Sequence, residues 1–214
     1  MNITIVDYGM GNLRSVENGF RSVGVDAEVV SGPEDVRRAD AVVLPGVGAF
    51  RDCMDNLRAA GLTEAVTESI GAGKPFLGIC LGLQILFETS REFGHAQGLG
   101  HFGGEVVPFP EGMKNGSGGR LKIPHMGWNQ VCRDESREIP LLRDVADGAW
   151  FYFVHSYFVS PLDEGIVATR TEHGVSFVSS VYRDNVFACQ FHPERSGLLG
   201  LGILRNFLEW AKGL

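Results

Sequence analysis

One cysteine of this chain sits between two glycines, in Gly78-Ile79-Cys80-Leu81-Gly82, and a histidine–acid pair, His192-Pro193-Glu194, follows more than a hundred residues later. A thiol, an imidazole and a carboxylate are the parts of a nucleophilic triad. The sulfur attacks, the imidazole moves the proton, and the acid fixes the imidazole's tautomer. His192 and Glu194 are two residues apart, so in an extended segment both project to the same side. Glu194 then accepts the Nδ1 proton of His192 and leaves Nε2 turned toward the sulfur. The chemistry these types support is acyl transfer on a thiol. Taken alone, Gly-x-Cys-x-Gly fits a buried structural cysteine between packing glycines equally well, and the two triad partners tip the reading.

Positioning the triad asks for particular elements. Residues 76–79 form a short apolar run, and a helix is expected directly after Cys80, with Gln84 and Glu88 on its Cys80 face. Flanking glycines keep bulk out of such a tight turn. The helix start offers free N–H groups and a positive dipole end, a setting that favours a thiolate, and the Leu81 N–H is placed to hold an oxyanion. Residues 187–191 are the strand that delivers His192. Upstream, apolar strands at 3–6, 27–30 and 41–44 alternate with helices at 13–23, capped by Asn12, and 53–71. Strands apolar on both faces and separated by helices predict a parallel sheet covered on both sides. After Gly98 the pattern shifts to short strands at 105–107, 150–154, 166–169 and 175–182, and a closing amphipathic helix at 198–211. Residues 108–120, around Asn115-Gly116-Ser117-Gly118-Gly119, read as an exposed loop without an assigned role.

The totals describe an ordinary globular protein. With 214 residues, 44% apolar and 21% charged, one domain over 1–214 with one substantial core is expected. A net charge of −7 without a cluster of Lys and Arg argues against a nucleic-acid surface. No signal-like start and no apolar run of membrane length are present, which points to the cytoplasm. Cys53, Cys80, Cys132 and Cys189 lie far apart, so neither a zinc site nor a disulfide framework is expected, and the three outside the triad read as buried thiols. The Gly9-x-Gly11 turn lacks the third glycine of a dinucleotide loop, with Arg14 in its place. The reading therefore includes no cofactor and no metal.

The run from Gly78 to Gln84, with Gln190-Phe191-His192-Pro193-Glu194, resembles the triad-type (class I) glutamine amidotransferases. Three further segments, Asp7-Tyr8-Gly9-Met10-Gly11-Asn12-Leu13, Pro45-Gly46-Val47-Gly48-Ala49-Phe50 and Pro124-His125-Met126-Gly127-Trp128-Asn129, are similar to the glutaminase subunits of imidazole glycerol phosphate synthases. That resemblance implies an α/β, flavodoxin-like fold: a central mostly parallel sheet flanked by helices, with antiparallel strands in the second half. It implies L-glutamine as substrate and Cys80, His192 and Glu194 as its triad. The oxyanion would be held by backbone N–H groups of Leu81 and the Val47-Gly48 turn, and the glutamine by Gln84, Glu88, Ser156 and Tyr157. It further implies a (β/α)₈ cyclase partner, joined as a heterodimer, that takes up the ammonia in histidine biosynthesis. Asn12, Met126, Trp128, Tyr152 and Arg195 are the expected contact residues, Arg195 standing where lysine is usual.

Several readings compete with parts of this one. Glu88 also fits a surface charge, and Trp128, Met126 and the aromatic run near Tyr152 also fit burial within the chain. A paralogous glutaminase feeding a different acceptor, such as a surface-sugar amination enzyme, would use the same triad. A peptidase or chaperone-like relative would carry a histidine after the nucleophile, and here Leu81 occupies that position. A scaffold without catalysis would not need the triad.

Overall fold

The computed structural model describes residues 1–133 and 137–213. Its first half alternates strand and helix: β1 (Ile3–Val6), α1 (Leu13–Ser22), β2 (Glu28–Val30), α2 (Pro33–Arg38), β3 (Ala41–Gly46), α3 (Phe50–Ala59), α4 (Leu62–Gly71), β4 (Phe76–Cys80) and α5 (Leu81–Gln84). Strands dominate the second half: β5 (Phe87–Ser90), β6 (Ala96–Gln97), β7 (Phe102–Pro108), β8 (His125–Arg133), β9 (Ala149–His155), β10 (Tyr157–Pro161), β11 (Val167–Glu172), β12 (Ser176–Arg183) and β13 (Val186–Cys189). Helix α6 (Gly197–Gly213) follows.

Strands β2, β1, β3, β4 and β13 lie side by side in that order and all pair in parallel. Every residue of β1, β3, β4 and β13 is buried, as continuous apolar strands between two helical layers must be. Alternate residues serve opposite faces. Val42 and Leu44 of β3 pack with Leu57 and Leu62 of α3 and α4, whereas Ala41 and Val43 pack with Phe20 of α1 and Phe207 of α6. Beyond β13 the sheet turns antiparallel through β12, β10 and β7, with β5 parallel to β7 at the far side. Strand β11 leaves β12 to pair with β8, and β8 pairs with β9. The fold is α/β with a mixed sheet, parallel where the first half supplies the strands.

Two helices replace the single one expected over 53–71. Gly61 lies between them at φ +66°, a left-handed conformation that ends α3 and redirects the chain. The helix after Cys80 is a single turn. The Leu86 carbonyl accepts the N–H of Phe102 and the Glu88 carbonyl that of Gly98, so strand pairing takes the groups a longer helix would need. The loop 108–120 is anchored on its first side by the buried Phe109 and Met113, and Asn115 closes its exposed tip by bonding Gly119.

Candidate active site

Register brings the triad together. In the parallel β4–β13 pair Ile79 stands opposite Cys189, so both strands release the chain at the same edge of the sheet, Cys80 from one and His192 from the other. The N–H of His192 donates to the Tyr152 carbonyl at 2.9 Å. Ser196 ties the same spot, its hydroxyl donating to the His192 carbonyl (2.6 Å) and accepting the Tyr152 N–H (3.0 Å). A turn of 3₁₀ helix, Pro193–Arg195, then carries Glu194 back to the ring, where Oε1 accepts from His192 Nδ1 at 2.8 Å. Both side chains are buried, at 4% and 1% exposure.

Cys80 has φ +56°, a costly backbone conformation for a residue with a side chain, and it holds the thiol at the apex of the strand-to-helix turn. A Cβ on Gly82 would stand 1.9 Å from the Leu44 carbonyl oxygen, and one on Gly78 would stand 2.8 Å from the Gly82 carbonyl oxygen. Gly82 lets the turn lie flush against β3, and Gly78 lets it close on its own strand beside Ala188 of β13. The Cys80 sulfur accepts from Gln190 Nε2 at 3.5 Å. Among the described residues, His192 Nε2 has no conventional hydrogen-bond partner. Burial on its own lowers the His192 pKa, but the Cys80 sulfur and the Glu194 carboxylate outweigh it and raise it to about 10. The ring is thus an imidazolium at neutral pH, next to the sulfur and able to give up a proton.

A pocket of about 250 Å³ opens on the sulfur, lined by Val47, Gly48, Cys80, Leu81, Gln84, Glu92, Pro124 and the strand residues 154–157. Val47, Gly48, Leu81, Gln84, Ser156 and Tyr157 therefore stand where the sequence reading places a substrate. Glu88 does not. It is exposed on β5, its carboxylate accepts the Gly104 N–H at 3.0 Å, and the early end of α5 is the reason. The acid in the pocket wall is Glu92, which the sequence reading missed. Its Oε2 accepts the N–H of Phe50 at the start of α3 (2.6 Å), and burial raises its pKa despite that bond. Its position became visible only once the chain turned at Gln84. His155 was missed as well.

A family model described as glutamine amidotransferase class-I matches residues 4–210. The imidazole glycerol phosphate synthase subunit HisH of Syntrophotalea carbinolica is 54% identical, covering 96% of this chain and 98% of its own. That of Aquifex aeolicus is 49% identical, covering 100% and 99%. The chain belongs to the class I glutamine amidotransferases, among the HisH subunits. Solved structures share the amidotransferase fold at low identity. A crystal structure of a glutamine amidotransferase has a TM-score of 0.73 at 20% identity, covering 98% of each chain. PurLQS from Thermotoga maritima has 0.71 at 19%, again covering 98% of each.

Around the amidotransferase site, β8 and β9 pair as a ribbon whose two faces differ. Outward stand Met126 (63% exposed), Trp128 (52%) and Trp150 (51%), with Tyr152 half-buried opposite Trp128. The Arg195 guanidinium lies 4.1 Å over the Tyr152 ring, and Asn12 is exposed at the start of α1. Burial within the chain therefore does not explain Met126 and Trp128. Of the remaining thiols, Cys53 is buried beside the Tyr8 hydroxyl (3.4 Å), and burial pushes it up to about 12. Burial raises Cys189 likewise. Cys132 departs from the expectation of a buried thiol: it is exposed on β8, on the same outward face as Met126 and Trp128. Among the described residues no cluster of His, Cys, Asp and Glu is fit to hold a metal ion, and no helix is long and apolar enough to cross a membrane.

Proposed function

We propose that Cys80 hydrolyses L-glutamine and that the ammonia released is passed to a synthase partner docked over the β8–β9 face. The observation that carries this reading is the His192–Glu194 pair buried beside the Cys80 sulfur, which itself opens on a pocket of about 250 Å³. The sulfur attacks the carboxamide carbon, and the oxyanion is met by backbone N–H groups of Leu81 and the Val47-Gly48 turn. His192 donates its proton to the departing amine, ammonia leaves, and a thioester remains. Water deprotonated by His192 then releases glutamate and restores the thiol. Glutamine lies along Gln84 with its carboxylate at the Ser156-Tyr157 backbone, and Glu92 takes the α-ammonium in place of Glu88.

Ammonia in water at neutral pH is almost entirely ammonium, which is not a nucleophile, so a sheltered transfer requires a partner close to the site. The exposed Met126, Trp128 and Trp150, with Arg195 at the edge, provide an apolar surface and a cation of the kind found at interface centres. The relatives above support a cyclase of the histidine pathway over a surface-sugar enzyme as that partner. Four unpaired thiols suit a reducing compartment such as the cytoplasm. Cys80→Ser tests the reading. It should abolish glutamine hydrolysis while the complex still makes product from added ammonium salt, and normal hydrolysis by the variant would refute it.

A further inference from the structure

Behind the pocket wall lies a chain of hydrogen bonds whose directions can be assigned one after another. The Tyr157 carbonyl accepts from His155 Nδ1 at 2.8 Å, and because a carbonyl can only accept, Nδ1 carries the proton. In the neutral ring Nε2 is then an acceptor, and its partner at 2.9 Å, His125 Nδ1, must be the donor. His125 Nε2 accepts in turn from the Asn129 amide at 3.1 Å. The second amide hydrogen of Asn129 goes to the Glu172 carbonyl (2.8 Å), which anchors the chain on β11. From the other side Gln84 Nε2 reaches the same Tyr157 carbonyl (3.0 Å) and the Gln190 side chain (2.9 Å), whose own amide touches the Cys80 sulfur.

Two buried imidazoles thus stand between the outer ribbon and the peptide expected to hold the substrate carboxylate. His125 is 4% exposed and His155 is 6% exposed. Phe153 and His173 stack on His125, with centroids at 4.9 and 4.2 Å. Burial pushes both pKa values down to about 3, so each ring stays a neutral one-donor, one-acceptor link. Proton transfer in catalysis does not use either ring.

We propose that His125 is a positioning residue for glutamine: by donating to His155 Nε2 it fixes the orientation of the His155 ring, whose Nδ1–H holds the Tyr157 carbonyl, and so steadies the Ser156-Tyr157 segment at the carboxylate end of the pocket. This rests on the glutamine reading of that pocket. Without the His125 donor, His155 Nε2 loses its partner and the ring is free to turn, which loosens its hold on the Tyr157 carbonyl and leaves Gln84 on that oxygen and the Phe109 N–H on the Ser156 carbonyl.

The test uses the complex with its synthase partner, with Cys80→Ser as a reference. His125→Phe keeps an aromatic ring but no donor, and should raise the KM for glutamine about tenfold while changing kcat less than about twofold. His125→Asn places an amide N–H near the Nδ1 position and should restore the KM to within about threefold of the parent. Nitrogen-15 spectra should show His155 protonated at Nδ1 in the parent protein with a hydrogen-bonded Nε2, and an Nε2 signal shifted toward that of a free imine nitrogen in His125→Phe. An unchanged KM in His125→Phe, a loss of kcat alone, or a parent spectrum with His155 protonated at Nε2 overturns the proposal. If His125→Phe does not fold, the parent spectrum and the KM of His125→Asn decide. Should Cys80→Ser still hydrolyse glutamine, the pocket reading itself fails; with Cys80→Ser inactive and His125→Phe unaffected, only the positioning role does.

Discussion

His192 owes its charge to two neighbours, the Cys80 sulfur on one side and the Glu194 carboxylate on the other, acting against burial. Its folded pKa of about 10 lies above the ordinary 6.5 of a free imidazole. Its contribution to stability is therefore complete below pH 6.5 and is lost as pH rises through 10. Thermal midpoints of the parent and of His192→Gln should accordingly draw together between pH 6.5 and 10, as scanning calorimetry would record. A gap that widened over that range would contradict the assignment. The two glutamates give a second comparison. Removing the Glu92 charge as Glu92→Gln should raise the KM for glutamine about 10- to 100-fold, the worth of a charged hydrogen bond. Glu88→Gln should change it less than about twofold, since Glu88 faces solvent on β5. Steady-state glutaminase kinetics of the two variants separate the pocket acid from the surface one.

At the scale of elements, the nucleophile turn depends on space that only glycine leaves. With a Cβ at 1.9 Å from the Leu44 carbonyl, Gly82→Ala must push α5 off β3. A loss of about 1 to 3 kcal/mol is expected in urea unfolding, with glutaminase activity falling as the turn shifts. These elements were unequally readable from the chain. Continuous apolar strands such as β1, β3 and β4 announce themselves, and so does the triad, because its residue types have few other reasons to stand at strand ends. Glu92 was hidden, because the run Leu81 to Glu88 has helical character and the backbone bonds that end α5 come from Gly98 and Phe102, beyond any local window. The break at Gly61 was hidden for a related reason, since glycine is tolerated within helices and only its positive φ ends this one. Strand β8 escaped notice because its outward positions carry Met126, Trp128 and Gln130, which mimic no simple polar–apolar alternation.

The whole molecule combines an alkaline-sensitive centre with an acid-sensitive wall. For His125 and His155 the folded pKa of about 3 lies below 6.5, so the unfolded chain binds more protons between those values. Stability is therefore complete above pH 6.5 and falls on acidification, by up to about 1.4 kcal/mol per pH unit for each ring. Denaturant titrations at pH 5 and 7.5 should show the fall, and His125→Asn should reduce it. The outward ribbon is the proposed docking face. Trp128→Ala should weaken association with the synthase partner by at least about 2 kcal/mol, near thirtyfold in Kd, if that ring is a central anchor. Titration calorimetry with the isolated partner measures this.

Cys132 gives the same ribbon a built-in reporter. It shares the outward side of β8 with Trp128, whereas the sulfurs of Cys53 and Cys189 lie deep in the core. In a Cys80→Ser background, a maleimide fluorophore should couple at this one site without further engineering. Its emission would then follow in real time how quickly a partner settles on the proposed face and leaves it.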